Sequence, residues 1–195
     1  MKQDIILAGV GGQGILSIAA TIGTAAVQSG LHLKQAEVHG MSQRGGAVQS
    51  HLRLSSDEIY SDLIPLGKAD IIISVEPMES LRYLHMLTRD GWLITNTAPE
   101  VNIPDYPEMD NIISEVKKVS QHVAIDAVTI AKEAGTAKAA NIVVLGAASE
   151  HIDMDYESLK QAIRSIFKTK GEDVINMNLK AMEAGRKFAQ EYEKN

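Results

Sequence analysis

Apolar positions along the chain follow two periods, and the first half switches between them repeatedly. Ile5, Ile6, Leu7 and Ala8 form an unbroken apolar run that stops at glycines, the pattern of a strand covered on both faces. Over residues 13–29 the period lengthens. Ile15, Ala19, Ile22 and Ala26 share one stripe, and Leu16, Ala20, Gly23 and Val27 share its neighbour. This predicts a helix whose small residues let it approach a sheet, with Gly30 at its C-terminal cap. A strand is expected over 31–38, then a glycine-rich stretch over 40–46. Val48, Ser50, Leu52 and Leu54 alternate with Gln49, His51 and Arg53, which predicts a strand over 48–54. Residues 70–75 read as a central strand. Pro77 opens a predicted helix to Met86, since proline suits a first turn. Asp90-Gly91 reads as a turn, 92–95 as a strand, 99–107 as loop and 112–116 as a short strand.

The second half is mostly helical in pattern. A helix is expected over 123–134, ending at Gly135. The Ala-rich stretch 137–149 also reads as helix, although Ile142-Val143-Val144 alone would suit a strand. Leu159, Ala162, Ile163, Ile166 and Phe167 repeat at helical spacing behind Asp155, a plausible N-cap. Val174, Met177, Ala181, Gly185, Phe188 and Tyr192 do the same. There is no repeat and no linker. The expectation is one domain over 1–195, with the sheet mainly in 1–120 and a helical part in 121–195. The fold class is α/β, an open, mostly parallel, Rossmann-like sheet flanked by helices.

Composition narrows the chemistry. The chain of 195 residues contains no Cys, so it cannot supply a disulfide, a thiolate zinc site, a Cys nucleophile or iron–sulfur ligands. A formal charge of -6 argues against a nucleic-acid partner, and 4% aromatic residues are too few for a base-stacking platform. No apolar run is long enough to span a bilayer, and no secretory pattern precedes the first strand, so a cytoplasmic location is expected.

Gly9-Val10-Gly11-Gly12-Gln13-Gly14 places G-x-G-x-x-G between a strand and a helix. The first glycine permits a tight turn, the second close backbone approach, and the third close helix–strand packing. The helix start offers free N–H groups that suit a phosphate or carboxylate. A dinucleotide site also wants an acidic residue about 20 residues onward. His32, Leu33, Lys34 and Gln35 stand there, and Glu37 comes late. These glycines therefore serve either an anion site or helix packing alone. A doubled glycine also suits enzymes that adenylate ubiquitin-like carriers, but many of those use cysteines that this chain lacks.

The second cluster, Glu37-Val38-His39-Gly40-Met41-Ser42-Gln43-Arg44-Gly45-Gly46, sets polar side chains among glycines at the end of a strand. Loops at carboxyl ends of strands line the ligand crevice of open α/β sheets. If the second strand runs parallel to the first, this loop lies beside the first glycine turn. Arg44 would then grip a phosphate or carboxylate. The candidate binding residues are Gly9, Gly11, Gly12, Gln13 and Gly14, then Glu37, His39, Ser42, Gln43, Arg44, Gly45 and Gly46, with Asn96 at the end of a later strand. His39 alone reads as an ordinary loop histidine, Arg44 also suits a solvated charge, and Asn96 also suits a cap or Asx-turn. No metal-ligand spacing and no nucleophile–base pair is present, so no catalytic residue is assigned. The Gly-Asp-Gly signature associated with magnesium–thiamine diphosphate is absent.

The runs Gly9–Leu16 and Glu37–Gly46 resemble the gamma-type subunit of 2-oxoacid:ferredoxin oxidoreductases. So do Asn96 after its apolar strand, residues 140–147, and Asn178-Leu179-Lys180-Ala181 with Gly185. The likeness covers nearly the whole chain in order, and the His-Gly-Met and Gln-Arg-Gly-Gly forms are most similar to indolepyruvate-type members. The resemblance implies oxidative decarboxylation of a 2-oxoacid, aryl pyruvates for that branch, with coenzyme A as co-substrate. It implies that thiamine diphosphate, magnesium and iron–sulfur clusters sit on a large partner subunit, which passes electrons to ferredoxin, and that this chain alone binds none of them. An isolated chain is a possible homodimer. Two other classes stand beside this one: a free-standing NAD(P)- or nucleotide-binding enzyme, and an assembly subunit with an empty glycine turn.

Overall fold

The structure is a computed structural model that describes residues 1–40 and 45–194, His39 by its backbone only. Strands β1 (Lys2–Val10), β2 (His32–His39), β3 (Ala47–Ser55), β4 (Ala69–Ser74), β5 (Leu87–Asn96) and β6 (His122–Ile125) form one sheet in the order β2-β3-β1-β4-β5-β6. β1, β4, β5 and β6 run parallel, while β3 is antiparallel to both β1 and β2. All strands except β3 therefore end at the same edge of the domain.

The helices are α1 (Ile15–Gln28), α2 (Pro77–Arg82), α3 (Met109–Val116), α4 (Ala127–Ala134), α5 (Ala140–Ala148), α6 (Tyr156–Phe167) and α7 (Glu172–Tyr192). On one face Ile5, Leu7, Ile71, Ile73 and Ile94 bury against α1 and the α4–α7 group. On the other, Ile6, Ile72 and Leu93 meet α2, α3 and a short 3-10 turn at Leu84–Met86. The unbroken apolar runs of β1 and β4 follow from being covered on both faces. Helix α5 is buried from Asn141 to Ala148, which explains why its sequence is apolar all round. It crosses α7 where Gly146 and Gly185 let the two backbones touch.

Several expectations change. Residues 112–116 belong to α3 and not to a strand. Ile112 and Val116, one helical turn apart, are its buried pair, and β-branched content masked that spacing. The helix expected over 123–134 is two elements: β6 ends at Ile125, and Asp126 caps α4 by accepting from the Thr129 amide at 3.0 Å. Asp90-Gly91 lies inside β5, which absorbs it with a register shift against β4, and α2 stops at Arg82. Asp155 stands at the N-cap of α6 without a side-chain cap bond. On the second face of β3, His51 and Arg53 are buried, and Arg53 forms a two-pronged pair with Asp4 (2.7 and 3.0 Å) and donates to the Ser61 and Leu63 carbonyls. That binds segment 56–68 over this face.

Candidate functional site

The two glycine segments meet at the carboxyl edge of the sheet. β2 and β1 point the same way with β3 between them, so Gly45 and Gly46, which lead into β3, stand beside the turn that follows β1. Gly11 donates its amide to Gly46 O at 2.8 Å, and Gly45 donates to Gly11 O at 3.4 Å. The expected adjacency of the two loops is present.

Within the first turn Gly9, Gly12 and Gly14 each have their own reason. A Cβ on Gly9 would stand 2.4 Å from Val75 Cγ2, so β1 could not lie against the end of β4. Gly12 has φ +102° with open space around it, so within this chain its conformation, and no packing contact, favours glycine. Gly14, at φ +83°, is the N-cap of α1, and a Cβ there would lie 2.6 Å from Asn141 Nδ2. That amide donates to Gly14 O at 3.0 Å, so the third glycine packs against α5 and not against a strand. Gln13 folds back, its Oε1 accepting from the Val10 amide at 2.8 Å. Helix α1 then begins with no side-chain cap and no acidic residue in its first turn.

A cleft of about 560 Å³ opens at this helix start, between the glycine turn and the helical half. Gly12, Gln13 and Ser17 form one wall, and Lys138, Asn141 and Lys170 contribute to the other. A smaller cavity of about 210 Å³ shares Gly12, Gln13, Lys138 and Asn141 and reaches Val75 and Asn96. It lies where the connections from β1 and β4 diverge to opposite faces, the usual ligand position in open α/β sheets. Two lysines facing uncapped backbone amides favour an anion electrostatically.

Asn96 is buried, and its amide is fully used. Nδ2 donates to the Val75 and Ala98 carbonyls, both at 3.2 Å, and Oδ1 accepts from the Ala127 amide at 3.1 Å. It shapes the cavity wall by joining β4, β5 and α4. Glu37 stands on the α1 side of β2, opposite Ser50, and accepts from Gln35 Nε2 at 3.4 Å. Ser42, Gln43, Arg44 and the His39 side chain lie outside the described residues. Sequence reasoning missed Lys138 and Lys170, which stand more than 120 residues from the turn and carry no local signature. Among the described residues no cluster of three or more His, Asp or Glu could hold a metal ion, and no helix is long and apolar enough to cross a membrane.

A third loop, 97–108, reaches over the same edge. Its anchor is Glu76, a fully buried carboxylate just after β4. Glu76 Oε2 accepts from the Glu79 amide at 2.7 Å, and Oε1 accepts from the Glu100 amide at 3.3 Å and from the Tyr106 hydroxyl. Burial, together with this carboxylate, pushes the Tyr106 phenol well above its usual range. Asn102 Nδ2 donates to Gly45 O at 2.6 Å, so the third loop holds the second.

Known proteins share this arrangement. Residues 4–188 match the family model described as pyruvate ferredoxin/flavodoxin oxidoreductase. The chain is 40% identical over 194 residues to the indolepyruvate oxidoreductase subunit IorB of Archaeoglobus fulgidus, covering 95% of this chain and 94% of that protein. It is 38% identical to the subunit of the same name from Thermococcus kodakarensis, covering 98% of both. The gamma subunit of a keto/oxoacid ferredoxin oxidoreductase from Geobacter sulfurreducens has the same fold, with TM-score 0.71 and 23% identity over 97% of this chain and 99% of that one. A 2-oxoglutarate:ferredoxin oxidoreductase from Magnetococcus marinus, solved with 2-oxoglutarate, coenzyme A and succinyl-CoA bound, matches with TM-score 0.76 and 23% identity over 97% of this chain. The match spans only 31% of that longer chain. With a family match over almost its entire length, this chain belongs to the pyruvate ferredoxin/flavodoxin oxidoreductase family.

Proposed function

We propose that this chain is the small, non-cluster-binding subunit of an indolepyruvate-type 2-oxoacid oxidoreductase, and that the edge built from its glycine loops completes the site on a partner subunit. The observation that carries the reading is the pairing of Gly11 with Gly46 and Gly45, which turns two glycine loops 30 residues apart into one surface. The near full-length identity to subunits named for indolepyruvate oxidoreductase supports that substrate class, aryl pyruvates. The partner carries the thiamine diphosphate, magnesium and iron–sulfur clusters and reduces ferredoxin. Without Cys this chain offers no cluster ligands, and the electron path runs through the partner.

The chain's own part is binding and orientation. Coenzyme A supplies the thiol that accepts the acyl group, and its phosphates match the donor set in the cleft: the uncapped start of α1, Lys138 and Lys170. Arg44, in the neighbouring loop, adds a planar charged grip. The glycine backbones at Gly11 and Gly12 allow the close approach that a side chain would block. Closing this edge against the partner excludes water from the reacting carbon, and no acid–base step is assigned to this chain. The cytoplasm is the compartment that fits a cysteine-free partner of reduced ferredoxin.

The test is reconstitution with the partner subunit and a comparison of indolepyruvate, phenylpyruvate and pyruvate in the presence of coenzyme A. Activity should require this chain and favour the aryl pyruvates. Replacing Lys138 and Lys170 together by Ala should raise the KM for coenzyme A roughly tenfold, and Arg44→Ala should impair kinetics or assembly. Full activity of the partner alone would overturn the reading.

A free-standing dinucleotide enzyme fits less well. In such folds the acidic residue that binds ribose ends the strand adjacent to β1. Here antiparallel β3 occupies that position, which moves the end of β2 out by a further strand spacing of about 4.8 Å. Calorimetry of the isolated chain with NAD(P) should show no binding.

A further inference from the structure

We infer that loop 97–108 is a preformed docking element for the cofactor-bearing partner subunit, with Val101 and Ile103 as its apolar anchors and Glu76 as the buried residue that positions it. The inference rests on the subunit reading above and adds the surface through which assembly occurs.

Val101 is 67% exposed and Ile103 is 41% exposed, two large aliphatic side chains flanking Asn102 at the tip of the loop. Exposed apolar tips are ordinary on loose loops, but this one is held. Glu76 is 0% exposed, and its carboxylate ties both halves of the loop through the Glu100 amide and the Tyr106 hydroxyl. The loop also contains Pro99, Pro104 and Pro107, three of the five prolines in the chain. A segment stiffened by proline and anchored by a buried carboxylate has little conformational entropy left to lose, so apolar side chains on it are presented ready for binding.

The partner is identified by position and by chain length. Asn102 bonds Gly45 directly, so the anchors are continuous with the edge that faces the partner in the reading above. In ketoisovalerate oxidoreductase subunit VorA of Methanothermobacter marburgensis, 94% of this chain matches only 36% of the protein, so the equivalent unit there is joined covalently to further sequence. Glu100, Asp105 and Glu108 rim the anchors with negative charge. The complementary surface is an apolar recess with Lys or Arg at its margin.

Glu76 works through Tyr106, Glu100 and Asn102 and touches no reactant, so it is a positioning residue. Glu76→Gln keeps the size but leaves one acceptor oxygen for three donors. The loop should loosen, and the KM for coenzyme A should rise more than kcat falls if the Gly45 loop shifts with it.

The experiment measures the affinity of the full chain for the purified partner subunit by titrating 2-oxoacid oxidation, with thermal unfolding of each free variant as a folding control. Val101→Ser with Ile103→Ser should weaken assembly at least tenfold while leaving the unfolding temperature of the free chain within a degree or two, because both side chains are exposed. Glu76→Gln should weaken assembly less, with partial rescue by Glu76→Asp in the KM for coenzyme A. Tyr60→Ser with Leu66→Ser, on another exposed apolar segment, should leave affinity unchanged. If the unsubstituted chain assembles and the Val101/Ile103 variant assembles equally well, the docking role is overturned while the subunit reading stands. A loss of affinity confined to the Tyr60/Leu66 variant also overturns it. If the unsubstituted chain fails to assemble at all, the subunit reading falls and the docking role falls with it.

Discussion

Replacing Gly185 by Ala should destabilise the chain through the crossing of α5 and α7. A Cβ at position 185 would stand 2.0 Å from the Val143 carbonyl oxygen and 3.1 Å from the Ala147 amide. A relaxed carbon–oxygen contact is about 3.3 Å, so the helices must separate by about 1.3 Å. Neither obstacle is a side chain that could swing aside. The reciprocal contact is equally tight, since a Cβ on Gly146 would meet Met182 O at 2.0 Å. Separation would open gaps around Val143, Ala147, Ala181 and Met182, all fully buried. Overpacking of this kind costs about 3 kcal/mol, the upper end of the usual range. Ala gains about 1 kcal/mol over Gly as a helix former, which leaves a net loss near 2 kcal/mol. For a domain of this size each kcal/mol moves Tm by roughly 2–4 °C, so Tm should fall by about 4–8 °C. Differential scanning calorimetry on the isolated chain reads this directly. An unchanged or raised Tm would mean that helix propensity outweighs the clash, and the close crossing would be refuted.

Other predictions concern separate parts of the fold. Gly12→Ala should cost about 1–2 kcal/mol in urea unfolding, because a left-handed backbone is its sole penalty. Gly14→Ala should cost more, since it adds a 2.6 Å clash with Asn141 to the same strain, and equal losses would contradict the packing role. Arg53→Met leaves buried Asp4 with only the exposed Lys2 ammonium, 3.5 Å away, as counter-charge and frees the Ser61 and Leu63 carbonyls, so stability should fall by about 3 kcal/mol in the same assay. His51 is held between the Ile64 amide, which donates to Nδ1 at 3.0 Å, and Gln49. Burial and then the nearby Arg53 charge lower its pKa, while Asp62 and Asp4 oppose the shift. Between that lowered value and the unfolded pKa of about 6.5, the unfolded chain binds the extra proton, so stability rises with pH there. The contribution is present above about pH 6.5 and is lost as pH falls below it. Unfolding at pH 7.5 and 5.5 should show a larger loss for the natural chain than for His51→Gln, and equal losses would remove His51 as the source.

The legible parts of the fold were those with local causes. The apolar runs at β1 and β4, the glycine turn and the small-residue stripe of α1 all report their surroundings through residue choice. Two errors came from patterns that local physics leaves ambiguous. Ile112, Ile113 and Val116 suit a strand by residue type and a helix by spacing, and burial on one side decided for the helix. Residues 123–134 carry Asp126 in mid-run, and it proved to be the cap that separates β6 from α4. The candidate site was half legible. Its glycines were visible, but Lys138, Lys170, Asn141 and Glu76 come to that edge from other segments and have no signature of their own.

By itself the sequence determined that this chain has no Cys to ligate a cluster, that an α/β sheet begins with a glycine turn, and that two glycine loops stand at strand ends. Those features depend on residue chemistry and on neighbours a few positions away. The tertiary structure alone decided that antiparallel β3 stands beside β1, bringing Gly46 to Gly11. It also decided that Asn141 explains Gly14, and that Glu76 fixes a distant loop over the same edge. Each of these is a contact between segments 30 to 130 residues apart or a buried charge satisfied from afar. Their energies exist only once the sheet order is set, so no local pattern could announce them.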